Sequence, residues 1–260
     1  MKMRKTVVLL VLGILGLLLL SACSKKEEPA AKPEEKAATA AASATPVDPA
    51  TAATITGTVK YPGAAPKAVK IDMSQDPACK DGDNTVETLV VNGGNLENAF
   101  VYVKDGLGSR TFDTPKESVT LDQQGCRYHP HVVGIMTGQT LKVLNSDPTT
   151  HNIHPTPKDN REWNESQPPK AAAIEKTFAR EEIMLPVKCN QHPWMKMYVN
   201  VVKSPYFAVT GKDGKYTLKG LPPGTYTIAV VQEKLGEQTQ QITVGAKESK
   251  TADFTMKAAQ

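Results

Sequence analysis

The sequence is poor in several residue types that define common classes of protein. Its 260 residues include only 4 cysteines and 5 histidines, and aromatic residues make up 5% of the chain. Four cysteines are too few for the dense disulfide framework of a small secreted domain. Five histidines are too few for an oxidase built on a trinuclear metal cluster. A chain of this length can nevertheless form one or two domains, each with its own core.

The chain also lacks a lasting excess of charge of either sign. Its formal net charge is +4, but Lys2, Arg4 and Lys5 belong to an N-terminal segment of the kind that is removed from the mature protein. Without these three, 28 basic residues face 27 acidic ones. Binding to nucleic acid requires a persistent basic patch. We therefore expect no nucleic-acid partner.

A long apolar run occurs only at the N-terminus, in residues 7–20. It is shorter than the roughly 20 residues that a spanning helix needs, and it follows basic residues, as in a signal peptide. The run ends in Leu20-Ser-Ala-Cys23, which resembles the bacterial lipoprotein box. That resemblance implies a signal peptide over residues 1–22 and a lipid on Cys23. It also implies an exported protein of the periplasm or cell surface. Ser24 after the cysteine, by the same resemblance, favours the outer membrane over the inner one if the host is Gram-negative.

The segment after Cys23 is rich in alanine and proline and has almost no large apolar residue. Such a composition cannot bury enough surface to offset its ordering entropy. We predict that residues 23–53 are the lipidated cysteine and a disordered tether. The folded part then begins near residue 54.

From residue 54 onward, short runs of β-branched and aromatic residues alternate with turn residues. Strand-like runs begin at residues 54, 88, 100, 132, 140 and 197. Only residues 171–182 have a composition that suits a short helix. The pattern predicts an all-β protein built as a β-sandwich.

The last part of the chain carries a second β signature. Residues 207–230 form three strand-like runs, separated by Asp213-Gly214 and by Pro222-Pro223-Gly224, and the Asp-Gly pair predicts a hairpin. The stretch from Gly220 to Tyr226 resembles the carboxypeptidase regulatory-like, prealbumin-type β-sandwiches. This resemblance implies a smaller sandwich over residues 204–260 and little about activity. The segment is short for such a module, and sharing the strand at residues 54–60 is one way to complete it.

All five histidines lie between residues 129 and 192, close to two cysteines. Cys189 and His192 form a Cys-x-x-His pair, two methionines follow, and His151-Asn152 lies upstream after an asparagine-containing strand. Over residues 124–202 this order resembles the cupredoxins, the plastocyanin and pseudoazurin group. The resemblance implies a cupredoxin-like Greek-key β-sandwich over residues 54–203 with one mononuclear copper ion.

The chemistry of the side chains supports copper independently. A thiolate, two imidazoles and a distant thioether form the ligand set of electron-transfer copper sites. Zinc is bound instead by cysteine, histidine and carboxylate. Cys189 is the only cysteine of its loop, which excludes a binuclear centre with two bridging cysteines.

The ligand set implied is His151, Cys189, His192 and an axial methionine. His154 competes with His151, and Asn152 after His151 favours the latter. Met197 lies eight residues after Cys189, as in plastocyanin and pseudoazurin, and is preferred. Met195 remains the alternative.

Asn152 and Trp194 are expected beside the ligands. Trp194 is interpreted either as a docking surface for an electron partner or as a cap over the copper loop.

Cys79 and Cys126 are the remaining cysteines. In an exported protein two otherwise unused cysteines are expected to form a disulfide, and free thiols are the alternative. His129, His131 and His154 receive no forced role: surface residues, hydrogen-bond donors to the ligands and a second weak copper site all remain open.

The sequence as a whole predicts a membrane-anchored type 1 copper protein that transfers single electrons and is not an enzyme. We expect His192 near the surface as the electron port, and redox proteins such as cytochromes as partners. The alternatives are a copper-binding protein for delivery or homeostasis, and a structural β-sandwich lipoprotein.

Overall fold

The computed structural model describes residues 44–79 and 84–257. The predicted signal peptide, Cys23 and residues 24–43 of the predicted tether lie outside this range. The described residues contain no helix that is long and apolar enough to cross a membrane. Their regular secondary structure consists of strands joined by turns and loops, apart from one 3₁₀ helix at Pro77–Cys79. The predicted all-β class is therefore confirmed.

Nineteen strands occur in the described part of the chain. They are β1 (Ala53–Lys60), β2 (Val91–Asn92), β3 (Asn95–Leu96), β4 (Phe100–Asp105), β5 (Val119–Gln123), β6 (Tyr128–His129), β7 (Val132–Met136), β8 (Leu141–Asn145), β9 (His151–Pro155), β10 (Glu165–Gln167), β11 (Ile174–Lys176), β12 (Glu182–Lys188), β13 (Lys196–Val202), β14 (Phe207–Val209), β15 (Lys215–Leu221), β16 (Gly224–Gln232), β17 (Gly236–Val244), β18 (Ser249–Thr251) and β19 (Phe254–Thr255).

Two of the sheets share one hydrophobic core. The first has the order β15-β1-β3-β2, with β18 and β19 also paired to β1, and the second has the order β14-β4-β16-β17. Alternate residues of β1, β4, β15 and β16 supply the core, including Ile55, Val101, Leu218 and Ile228. This alternation buries one face of each sheet against the other, which makes the pair a sandwich.

The other two sheets form a second sandwich, which holds the histidines and Cys189. Their orders are β10-β9-β12-β13-β7 and β11-β8-β5-β6. The pairs β13–β7 and β5–β8 are parallel, and the other pairings are antiparallel. The core between the sheets includes Leu121, Val143, Leu185 and Val199.

The two sandwiches pack face to face through a third hydrophobic cluster. Phe100 and Tyr102 of β4 turn away from Val101 and contact Val132 and Val202 of the second sandwich. The strands at this contact, such as β4 and β7, are therefore buried on both faces, which explains their continuous apolar runs.

Strand β7, at the edge of its sheet, approaches β14 closely at Gly134. A Cβ at Gly134 would lie 2.5 Å from the ring of Phe207. Glycine is therefore required at this position for the two sheets to meet.

Two local predictions are wrong. Residues 171–182 form no helix: Ile174–Lys176 is a strand that pairs with β8 and completes the edge of its sheet. Asp213-Gly214 does form a turn, with Gly214 at φ +67°, but it does not close a hairpin. The strands on its two sides pair with different partners, β14 with β4 and β15 with β1. The turn therefore carries the chain between sheets.

Strand pairing crosses the predicted domain boundary between residues 203 and 204. β1 pairs with β15, β18 and β19, and β4 pairs with β14 and β16. The division into domains at that boundary stays a prediction. The end of the predicted tether also contacts the sandwich, because the Thr45 amide donates to the Thr111 carbonyl at 2.8 Å.

Candidate metal centre

Strand pairing brings three of the predicted ligands together. His151 begins β9, Cys189 directly follows β12, and His192 lies in the loop between β12 and β13. β9 and β12 are neighbours in one sheet, so the two ends of the site are fixed by backbone hydrogen bonds. The ligand atoms of these three buried residues lie within 4.8 Å of one another.

The imidazoles present the same nitrogen to the centre. Nδ1 of His151 lies 2.9 Å from Nδ1 of His192, and Sγ of Cys189 lies 3.7 Å from the latter. Both Nε2 atoms point outward to a carboxylate: His151 Nε2 is 2.8 Å from Asp147 Oδ2, and His192 Nε2 is 3.1 Å from Asp76 Oδ2. Two nitrogens and one sulfur therefore converge, and the outer hydrogen bonds orient the rings.

The local charges favour a thiolate. Burial raises the pKa of the Cys189 thiol, but hydrogen bonds from His151 and from nearby backbone amides outweigh this effect and lower the pKa to about 6. Burial lowers the pKa of His151, but Asp147 and Cys189 outweigh it and raise the pKa above its usual value. Each group therefore favours the charged form of the other, a thiolate beside an imidazolium, and a bound metal ion would take the place of the proton on His151.

The loop that carries the ligands is closed by its own backbone. The Cys189 amide donates to the Met195 carbonyl at 3.2 Å, and the Met195 amide donates to the His192 carbonyl at 2.9 Å. Asn152 holds this loop in place: its side-chain oxygen accepts a hydrogen bond from the Asn190 backbone amide, and its own backbone nitrogen lies 3.4 Å from Cys189 Sγ. Asn152 therefore lies beside the cluster, where the sequence placed it.

The β12–β13 register distinguishes the two methionines. Val187 pairs with Met197 and Lys188 with Lys196, so the next position sets Cys189 opposite Met195. Directly opposite residues have Cβ atoms about 4.5–5.5 Å apart, and diagonal ones about 7–8 Å apart. Met195 and Met197 are both buried in the same core. The register favours Met195, whereas the spacing had favoured Met197, and the choice of axial ligand stays a prediction.

The predicted disulfide between Cys79 and Cys126 is present, with the Cα atoms 5.4 Å apart. It lies against the cluster, because Cys79 Sγ is 3.9 Å from His192 Nε2. Trp194 lies on the same side: its ring centroid is 5.1 Å from that of His192, and its indole N–H donates to the Cys126 carbonyl at 3.1 Å. The disulfide and the indole together cover His192.

The side chain of His192 is buried although Gln191 and Pro193 on either side of it are exposed, and its expected role as an electron port stays a prediction. The residue is only 4% exposed, because Asp76 and Cys79 occupy the side on which its Nε2 would meet solvent.

The other histidines lie apart from this cluster. His129 is exposed and bonds the Gln124 carbonyl, at 3.1 Å from Nε2. His131 is buried with Nε2 2.6 Å from Glu233, and His154 has Nε2 2.6 Å from Glu162. These contacts are structural hydrogen bonds, and the possible second copper site stays a prediction.

Sequence reasoning missed Asp147 and Asp76. Asp147 lies four residues before His151, and its side chain also accepts the amides of Gly125 and Cys126. That short spacing is a signal that could have been used. Asp76 lies 116 residues from His192, and its only sequence signal is its position three residues before Cys79.

The protonation of the cluster gives a testable pH dependence. Below the raised pKa of His151, metal binding must displace a proton from that imidazole, and below about pH 6 it must also displace one from Cys189. We expect the apparent Zn²⁺ affinity to fall about tenfold per pH unit below the raised pKa of His151, and more steeply below about pH 6. Competition titrations between pH 5 and pH 8 measure this, and a pH-independent affinity would contradict the thiolate–imidazolium pair.

Comparison with known families gives one match. Residues 191–257 match the carboxypeptidase regulatory-like domain, the family that the Gly220–Tyr226 stretch resembles. A search of curated proteins found no match.

Several solved structures are similar to part of this chain. A copper-containing nitrite reductase from Thermus scotoductus SA-01 is 18% identical, with a TM-score of 0.31, over 38% of this chain and 25% of that one. A mutant of amicyanin in the Cu(I) form is 19% identical (TM-score 0.29; 39% and 97%), and a purple cupredoxin from Nitrosopumilus maritimus is 22% identical (TM-score 0.28; 32% and 97%). The chain thus spans a quarter of the reductase. Because these TM-scores are low, the fold is assigned from the strand pairings of this chain and not from these structures.

Proposed function

We propose that the chain binds one copper ion at His151, Cys189 and His192 and transfers single electrons as a type 1 copper protein. The observation that carries this proposal is the convergence of one thiolate and two Nδ1 atoms within 4.8 Å in a buried site. Soft thiolate and imidazole donors are the ligands of electron-transfer copper.

The donor set fits copper better than zinc. Asp76 and Asp147 bond the outward Nε2 atoms, so neither carboxylate is the inward donor that a zinc site with cysteine and histidine would add. Copper would supply a reversible one-electron couple. The side chains hold their positions on β9 and on the closed β12–β13 loop, which limits rearrangement when the charge changes, and their burial excludes water.

Burial also supports a carrier rather than an enzyme. His151, Cys189 and His192 are 0%, 2% and 4% exposed, which leaves little access for a substrate to reach the ligands. An enzymatic metal centre keeps an open coordination position. We propose that the partners are redox proteins such as cytochromes. They would exchange electrons across the surface that the Cys79–Cys126 disulfide and Trp194 form over His192.

We propose further that the protein is an exported lipoprotein of the periplasm or cell surface, anchored through Cys23, and at the outer membrane if the host is Gram-negative. The Cys79–Cys126 disulfide supports export, because disulfides persist in oxidising compartments. The lipoprotein box quoted above supports the anchor.

Replacing each methionine by glutamine tests the axial position. Because Met195 is opposite Cys189 in the register, we expect Met195→Gln to shift the Cu(II) absorption spectrum and lower the reduction potential, since an amide oxygen favours Cu(II). Met197→Gln is the matched control and should leave the spectrum nearly unchanged. The opposite result would restore Met197, and no change in either variant would contradict an axial methionine.

Retention of copper through redox cycles tests electron transfer against delivery. The full chain is loaded with Cu(II), reduced with ascorbate and reoxidised with ferricyanide beside a copper chelator. We expect the same visible absorbance after every cycle, because the buried ligands hold both oxidation states. Loss of copper to the chelator in each reduced phase would contradict the proposal and favour copper delivery.

A further inference from the structure

Asp76 lies on the outer side of His192 and is fixed by several hydrogen bonds. Its Oδ2 is 3.1 Å from His192 Nε2 and accepts from the Thr149 hydroxyl at 2.8 Å. Its Oδ1 accepts from the Ala78 amide at 2.9 Å. The carboxylate is therefore a hydrogen-bond acceptor in a defined orientation.

The disulfide holds this carboxylate in place. Asp76 directly precedes the 3₁₀ helix Pro77–Cys79, and the Cys79 amide donates to the Asp76 carbonyl at 2.9 Å. Cys79 is bonded to Cys126, whose amide donates to Asp147, the carboxylate on the other histidine. One covalent link thus joins the segment that supplies Asp76 to a segment whose amide holds Asp147 by a hydrogen bond.

We propose that Asp76 is a positioning residue of the metal centre, which fixes His192 with a proton on Nε2 and a free lone pair on Nδ1 and shields it from water. The proposal rests on the proposed metal-binding function. A carboxylate can only accept, so it requires the N–H on Nε2. Hydrogen bonds of this kind on a metal-binding histidine set its tautomer and its basicity.

The amide of asparagine would reverse this preference. In Asp76→Asn the side-chain oxygen can still accept the hydrogen bond from the Ala78 amide. The NH₂ group then faces His192 Nε2. An NH₂ donor favours the lone pair on Nε2 and therefore the proton on Nδ1, the atom that faces Cys189 and His151. The variant must then move that proton before it can bind a metal.

Zn²⁺ competition with the full chain tests the proposal. We expect Asp76→Asn to weaken Zn²⁺ binding about 10- to 100-fold, the usual cost of losing such a partner. Asp72→Asn is the matched control, because Asp72 is an exposed aspartate of the same segment whose Oδ1 accepts the Ser74 amide in the same kind of turn. The control should bind like the unaltered chain. Equal affinities of the two variants would overturn the proposal.

The tautomer of His192 gives a readout that a purely structural role would not move. In the metal-free chain, ¹⁵N NMR should show the proton of His192 on Nε2, and on Nδ1 in Asp76→Asn. An unchanged tautomer would count against the proposal. If Asp76→Asn does not fold, Thr149→Val removes one hydrogen bond to the same Oδ2 without changing any charge, and we expect a smaller loss of Zn²⁺ affinity. No loss would overturn the role of Asp76.

Zn²⁺ separates this proposal from the copper function, because it tests ligand geometry without redox chemistry. A chain that gives no thiolate-to-copper absorption but loses Zn²⁺ affinity on Asp76→Asn would contradict the copper function and support the role of Asp76. A chain with that absorption and unchanged Zn²⁺ affinity would support the copper function and contradict the role of Asp76.

Discussion

Cys189→Ser is expected to abolish the visible absorption of the Cu(II)-loaded chain and to lower metal affinity by more than about 100-fold. Cys189 is the only free cysteine among the described residues, and hydrogen bonds lower its pKa to about 6. Its thiolate would be the donor whose charge transfer to Cu(II) gives the visible absorption of the loaded site. A serine hydroxyl remains protonated near neutral pH, and losing a direct ligand should exceed the 10- to 100-fold cost of losing an outer partner.

Absorption spectroscopy and metal competition measure this effect. Val187→Thr is the control, because Val187 lies two residues earlier on the same buried face and gains a hydroxyl without losing a ligand. We expect the control to keep the absorption and the affinity. A Cys189→Ser chain that retains both would mean that the sulfur is not a ligand.

The second large effect is expected on removal of the disulfide. Replacing Cys79 and Cys126 together by alanine should lower the free energy of unfolding by about 4 kcal/mol, because the bond closes a loop with a sequence separation of 47. The change should also release the segment that carries Asp76, so metal affinity should fall as well.

Urea unfolding of the metal-free chain measures the loss of stability. Adding a reductant to the unaltered chain should give the same loss, and adding it to the double variant should change nothing. A difference below about 1 kcal/mol would show that the denatured chain is not restricted by this bond.

The sequence predicted the architecture where side-chain pattern alone decides it. The sequence predicts a strand that begins at Val132, and β7 begins at that residue, because β-branched residues that are buried on both faces favour a strand. The hairpin at Asp213-Gly214 failed because turn chemistry determines only the reversal of the chain. The strands on either side of the turn, β14 and β15, pair with β4 and β1, which lie far away in the sequence, and local sequence does not encode such pairings.

The members of the cluster that lie near one another in the sequence could be predicted from it, and the distant members could not. Cys189 and His192 share one loop, and His151 carries a recognisable neighbour in Asn152. The position of Met195 opposite Cys189 depends on the register of β12 and β13, which spacing along the chain does not give. Asp76 comes from a segment without strands, and only the tertiary fold and the disulfide bring it to His192.

The absorption spectrum of the full chain titrated with Cu(II) tests the central claim most directly. The account predicts an intense visible band that grows to an end point of one copper per chain and disappears on reduction. A weak spectrum without a thiolate band, or an end point that requires several copper ions, would contradict a buried mononuclear centre at His151, Cys189 and His192.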